Sequence, residues 1–156
     1  MKSSSSPHIL IVDAPYYTHI VEDLVKGAAS TLEAGGATWD RLSVSGAFEV
    51  PIAIRYAVQS MNELATGPRY DGYLALGCVI RGETTHYEHI CNEANRALMQ
   101  LCLDNCLAIG NGILTVENEA QALARARADE KNKGGEAATA VLRMIEVQNH
   151  FGIHHK

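Results

Sequence analysis

The chain has 156 residues, 47% of them hydrophobic and 20% charged, a balance that excludes disordered, collagen-like and low-complexity classes and fits one soluble domain spanning residues 1–156. A formal net charge of −5 offers no basic tract for a nucleic-acid backbone, and no apolar run approaches the roughly 18 residues of a membrane span, so neither nucleic acid nor membrane is an expected partner. Residues 1–7 hold one lysine and a serine run without an apolar stretch, and are expected to be a flexible tail of a cytoplasmic protein rather than a secretory signal.

Residues 8–13, His-Ile-Leu-Ile-Val-Asp, form an unalternating apolar run, the pattern of a strand buried on both faces in a parallel sheet. After Pro15-Tyr16-Tyr17, apolar residues at Ile20, Val21, Leu24, Val25, Ala28 and Leu32 recur at helical spacing until Gly35-Gly36 stops them. Residues 38–44 predict a second strand. Ser45-Gly46-Ala47 then turns the chain into a helix over about 50–64, with Pro51 in its first turn. Residues 72–80 are the clearest buried strand, a helix is predicted over 86–103, and residues 107–115 read as a glycine-punctuated fourth strand. Two helices, over about 119–127 and 136–149, finish the chain on either side of Lys131-Asn132-Lys133-Gly134-Gly135. Alternating strands and helices predict an α/β fold: a three-layer αβα sandwich of the doubly wound kind with about four parallel strands.

The four cysteines, Cys78, Cys91, Cys102 and Cys106, lie in apolar segments without a Cys-x-x-Cys pair and are expected to be reduced, buried thiols. His86 and His89 share a helical face, but a zinc site needs further ligands that the neighbourhood does not supply, and no metal is expected. His154 and His155 read as a solvated tail.

Open parallel sheets bind ligands outside the carboxyl ends of their strands. At those ends stand Tyr16 and Tyr17 after the first strand, Gly46, Phe48 and Glu49 after the second, residues 81–86 after the third, and Asn111, Thr115 and Glu117 after the fourth. Thr85 and Glu88 have capping-box spacing, which starts a helix at His86. Free N–H groups and the positive end of the helix dipole make residues 82–85 a seat for an anion such as phosphate, and Gly82 lets the backbone come close. The same field disfavours imidazolium, leaving a neutral His86 able to accept a proton. Arg125, Arg127, Lys131 and Lys133 either balance Asp129 and Glu130 on a solvated face or complete the anion site if the fold or a neighbouring subunit brings them near.

Three stretches carry a resemblance to the 6,7-dimethyl-8-ribityllumazine synthase family: Gly46-Ala47-Phe48-Glu49-Val50-Pro51, the run from Leu76 to His86 containing Arg81-Gly82-Glu83-Thr84-Thr85, and Asn132-Lys133-Gly134-Gly135-Glu136-Ala137-Ala138. The likeness extends from Ile9 to Phe151. It implies a flavodoxin-like fold and an enzyme that condenses 5-amino-6-ribitylaminouracil with 3,4-dihydroxy-2-butanone 4-phosphate, releasing phosphate and water, with no metal or organic cofactor. It matches Tyr16 to an aromatic stacked on the pyrimidine, Ala47 and Glu49 to the ribityl site, with Gly46 also among the substrate-binding positions, and Val79 and Ile80 to the wall of the heterocycle. Gly82, Glu83 and Thr84 match the phosphate turn, His86 the proton-transfer residue, and Arg125 and Lys133 phosphate-binding cations. Asn111 and Arg125 are implied to come from the adjacent subunit. The resemblance also implies a homopentamer, or two pentamers face to face, with sites at subunit interfaces, and a functional link to riboflavin synthase.

Two departures stand out: Pro15 where the family often has arginine, and Asn111 where many members have an aromatic. Loss of an aromatic pair, about 0.5–1.5 kcal/mol, predicts weaker ligand binding and keeps open an alternative, a weakly active or non-catalytic paralogue that holds lumazine or flavin. A regulatory or nucleotide-binding domain lacks support, since neither Gly-x-Gly-x-x-Gly nor a P-loop is present. Arg127-Ala128-Asp129-Glu130-Lys131 replaces the family's glycine-containing kink, which predicts rings without a closed shell.

Overall fold

The computed structural model describes residues 5–153, so the tail reading of residues 1–4 and that of His154 and His155 lie outside the described residues. The elements run β1 (His8–Ala14), α1 (Thr18–Ala34), β2 (Thr38–Ser43), α2 (Glu49–Glu63), β3 (Gly72–Ile80), α3 (His86–Asn105), β4 (Ile109–Val116), α4 (Glu119–Ala126) and α5 (Lys133–His150). The strands form an all-parallel sheet in the order β2-β1-β3-β4.

Successive side chains of a strand point to opposite faces, and both faces of β1 are covered, which is why its sequence does not alternate. Ile9 and Ile11 pack with Val21, Leu24 and Ala28 of α1 and with Val141 of α5. Leu10, Val12 and Ala14 pack with Val50 and Ile54 of α2 and with Leu98 of α3. The result is the predicted three layers, with α1, α4 and α5 on one face and α2 and α3 on the other.

The outer strand β2 is paired only with β1 and is largely exposed. A polar cluster fastens it near its C-terminal end. Arg41 donates from Nε and Nη2 to the two oxygens of fully buried Asp13 at 3.0 and 2.8 Å, and Ser43 Oγ donates to Asp13 at 3.0 Å. The same guanidinium reaches Glu22 of α1 at 3.2 and 2.6 Å.

Helix α5 begins at Lys133, three residues before the predicted start at 136. Asn132 adopts the left-handed conformation (φ 46°) and its side chain accepts from the Gly135 N–H at 3.2 Å, so the helix is capped ahead of the glycine pair. Gly134 packs against the Leu24 carbonyl of α1, a contact that leaves no room for a Cβ. What reads as a breaker is therefore a close helix–helix approach.

Burial of the cysteines holds for Cys78 and Cys91 only. Cys102 is half-buried, and Cys106 is exposed in a left-handed conformation (φ 52°) at the end of α3. Burial pushes the Cys78 thiol up to about 11. Among the described residues no helix is long and apolar enough to cross a membrane.

Candidate active site

The strands do not end level. The last β1–β3 pair is Ala14 with Gly77, whereas β3 continues beside β4 to the pair Ile80 and Val116. Residues 78–80 therefore have a strand neighbour on the β4 side only, and the other side opens a crevice beside the β1–α1 loop. This is the point where strand order reverses, and where parallel sheets hold ligands.

At the end of β3, half-buried Val79 packs on the α2/α3 side of the sheet and half-buried Ile80 on the α1 side. The first loop brings Tyr16, 76% exposed, with its ring edge-on to Tyr17 at a centroid distance of 4.9 Å. A large aromatic left this open is a platform for a planar ligand. The second loop brings Gly46, buried Ala47, exposed Phe48 and half-buried Glu49. Glu49 begins α2, its N–H donating to the Gly46 carbonyl at 3.1 Å, and its carboxylate folds back so that an added Cβ on Gly46 stands 3.0 Å from Oε2. Glycine at 46 thus keeps that carboxylate over the loop.

Residues 81–86 are all exposed. The predicted capping box does not form: Thr85 makes no side-chain cap hydrogen bond, and Glu88 turns to Arg81 instead. Thr84 takes over part of the capping role, its Oγ1 accepting from the His86 N–H at 3.3 Å. Nothing lies within 4 Å of a Cβ built on Gly82, and its φ is not positive, so neither space nor backbone strain within the chain calls for glycine there. The turn leads into a 20-residue helix, a position that can favour an anion, and exposed His86 is the first residue of that helix.

Arg81 is the residue that sequence reasoning left without a role. Its Nε donates to Glu117 at 2.8 Å, its Nη1 donates to Glu88, and its guanidinium lies 4.3 Å from the centre of the Tyr87 ring. It holds the Glu88 carboxyl below the usual carboxylate range. The signal available in sequence was an arginine between a strand end and a glycine; the partner 36 positions away could not be read from spacing.

Other expected members lie elsewhere. Asn111 is the third residue of β4 rather than beyond its end, and Thr115 also lies within that strand, so only Glu117 follows it. Asn111 faces α3, donating to Asn95 at 2.8 Å and accepting from the Ile113 N–H at 3.0 Å. Arg125, in the last turn of α4, donates to the Gln121 carbonyl at 3.0 Å, and Lys133 pairs with Glu136 at 2.9 Å. Within one chain none of these three has a hydrogen bond or ion pair to the turn at residues 82–85.

Residues 6–149 match the sequence model of the family described as 6,7-dimethyl-8-ribityllumazine synthase. A protein of that name from Bartonella tribocorum is 54% identical over 146 residues, covering 94% of this chain and 93% of the relative. Another, from Agrobacterium fabrum, is 50% identical and spans 95% of this chain and 99% of its own. A third, named 6,7-dimethyl-8-ribityllumazine synthase 1, from Rhizobium meliloti, is 51% identical over 93% of this chain and 94% of its own.

Proposed function

The chain belongs to the 6,7-dimethyl-8-ribityllumazine synthase family, and from that premise we infer that it is a transferase of riboflavin synthesis, condensing 5-amino-6-ribitylaminouracil with 3,4-dihydroxy-2-butanone 4-phosphate. The observation that supports the reading is that an exposed aromatic, Tyr16, and the exposed turn of residues 81–86 directly follow the neighbouring strands β1 and β3, at the point where strand order reverses.

In this reading Tyr16 stacks on the pyrimidine near Val79 and Ile80. Gly46, Ala47 and Glu49 hold the ribityl chain, with Glu49 accepting from its hydroxyls. The turn of Gly82, Glu83 and Thr84 seats the phosphate. The 5-amino group attacks the ketone, and loss of water gives an imine. Elimination of phosphate follows, and attack of the ribitylamino nitrogen on the remaining carbonyl, with loss of a second water, closes the second ring. Each step moves a proton, which His86 at the end of the phosphate turn is placed to carry. Holding two substrates in one crevice removes much of the entropic barrier to a bimolecular reaction, and the chain's own contribution is then largely position.

Within one chain the cation at this turn, Arg81, is bonded to Glu88 and Glu117, and neither Arg125 nor Lys133 bonds to the turn. That gap favours a homo-oligomer in which a neighbour's Arg125, Lys133 and Asn111 close the crevice. The chain also presents a surface for such a neighbour. Phe48, Ile52 and Tyr56 recur every four residues along the outer face of α2, at 49, 39 and 71% exposure, and a groove of about 570 Å³ lies between that helix and the exposed strand β2. The assembly we assign is a homopentamer or a face-to-face pair of pentamers in the cytoplasm, without a closed shell. Residues 127–131 have no positive φ, so the stretch that replaces the glycine kink takes an ordinary path.

Mixing the purified protein with both substrates is expected to give lumazine absorbance and fluorescence with one phosphate released per product. Binding of the pyrimidine without product would remove the enzymatic reading. Light scattering is expected to give five or ten chains; monomers that retain full activity, or closed particles near megadalton mass, would contradict the proposed assembly.

A further inference from the structure

We propose that Arg81 is a positioning residue that shields the phosphate seat, neutralising two carboxylates that would otherwise repel the phosphorylated substrate. The inference rests on the reading of residues 82–85 as that seat.

The turn is crowded with acids. Glu83 lies within it, Glu88 in the first turn of α3, and Glu117 directly after β4. Arg81 is bonded to two of the three, with Nε on Glu117 at 2.8 Å and Nη1 on Glu88. Its direction is fixed independently of those bonds. The backbone N–H of Arg81 donates to the Val116 carbonyl at 2.9 Å, and the guanidinium is seated over the Tyr87 ring. Glu117 is held from its own side by Gln121, whose Oε1 accepts from the Glu117 N–H at 2.9 Å. The cation therefore ties the end of β3, the first turn of α3 and the end of β4 into one frame around the turn.

The geometry points away from Arg81 as a direct phosphate ligand, since its bonds run to carboxylates on neighbouring elements. What it changes is the local charge. With Arg81 in place the net charge of Arg81, Glu88 and Glu117 is one negative; without it, two unpaired carboxylates flank a site that must take a phosphate. One Oε of Glu88 is already buried without a hydrogen-bond partner among the described residues, so that carboxylate depends on Arg81 for its compensation.

The test compares the wild type, Arg81→Lys, Arg81→Met and the triple variant Arg81→Met/Glu88→Gln/Glu117→Gln, each checked by circular dichroism for the same fold. KM for each substrate and the inhibition constant of inorganic phosphate are measured at low and high salt. Arg81→Met is expected to raise the KM of the phosphorylated substrate and the phosphate inhibition constant about three- to tenfold, less at high salt, with the KM of the pyrimidine unchanged. Lysine recovers part of the loss. The triple variant, which removes the acids along with their shield, returns both constants to within about twofold of wild type, on the same electrostatic argument. A triple variant as impaired as Arg81→Met would overturn the shielding role and make Arg81 a direct ligand. Equal rises in KM for both substrates would also overturn it. Failure of phosphate to compete in the wild type would instead remove the seat, and with it the premise.

Discussion

Replacing Arg41 by alanine leaves Asp13, which has no solvent exposure, with the Ser43 hydroxyl as its one remaining side-chain donor. Breaking a buried pair from the cation's side strands a charge, at a cost of about 3–5 kcal/mol. Replacing Asp13 instead is milder. The Arg41 side chain is 28% exposed and keeps two hydrogen bonds to Glu22, so the loss is that of charge-assisted bonds alone, about 1–3 kcal/mol. The asymmetry is the prediction: Arg41→Ala destabilises more than Asp13→Ala, and Asp13→Ala/Arg41→Ala is more stable than Arg41→Ala alone, giving a coupling of about 2 kcal/mol. Urea unfolding of the three variants at one fixed protein concentration measures it, since an oligomer's stability moves with concentration. Costs that simply add within about 0.5 kcal/mol, or a milder Arg41→Ala, would refute the reasoning. Activity should follow, because this network joins the roots of the loops that carry Tyr16 and Glu49.

His86→Ala is expected to lower kcat by roughly 10–10³-fold with the circular dichroism spectrum unchanged, and an unaltered kcat would take it out of the mechanism. Burial pushes the phenols of Tyr70 and Tyr73 up to about 12, above the 10.0 of an unfolded tyrosine. Their contribution to stability is complete below pH 10 and is lost as pH rises from there towards 12; a Tyr70→Phe/Tyr73→Phe protein should show a flatter decline in urea midpoint over that window. Gly134→Ala places a Cβ against the Leu24 carbonyl and should cost about 1–3 kcal/mol through separation of α1 and α5, read as a lower thermal midpoint. Asn111→Phe gives up bonds to Asn95 and the Ile113 N–H; if stacking is what the site lacks, a lumazine analogue should still bind more tightly, by up to about 1.5 kcal/mol, as titration calorimetry can show.

The strands were legible because burial on both faces writes itself as continuous apolar runs: residues 8–13 and 72–80 marked β1 and β3 to within a residue. Periodicity likewise marked α1, where all the positions read at helical spacing are buried and Gly27 is buried besides. Local chemistry misled where a partner outside the motif, a neighbouring cap or the backbone's own turn decided the outcome. Glu88 has capping-box spacing from Thr85, yet the guanidinium of Arg81 takes it. The glycine pair at 134 and 135 has breaker composition, yet an asparagine cap and the approach of α1 keep it helical. Cys106 lies in an apolar segment, but the chain turns left-handed there and leaves it exposed. What the structure bears out for the candidate site is position alone: Tyr16, residues 46–49 and residues 79–86 lie at or just after the ends of β1, β2 and β3, as the strand pattern predicts. Asn111, Arg125 and Lys133 could not be placed from spacing, since no contact within one chain brings them to the crevice.

A crystal structure of the assembled protein with a non-reactive ribitylaminopyrimidine and inorganic phosphate tests the central claim most directly. The ring is expected stacked on Tyr16 near Val79 and Ile80, the ribityl chain at residues 46–49, and phosphate on the N–H groups of residues 82–85 with Arg125 of a neighbouring subunit on its far side. A pyrimidine bound in the groove between β2 and α2, or a phosphate held away from that turn, would contradict it.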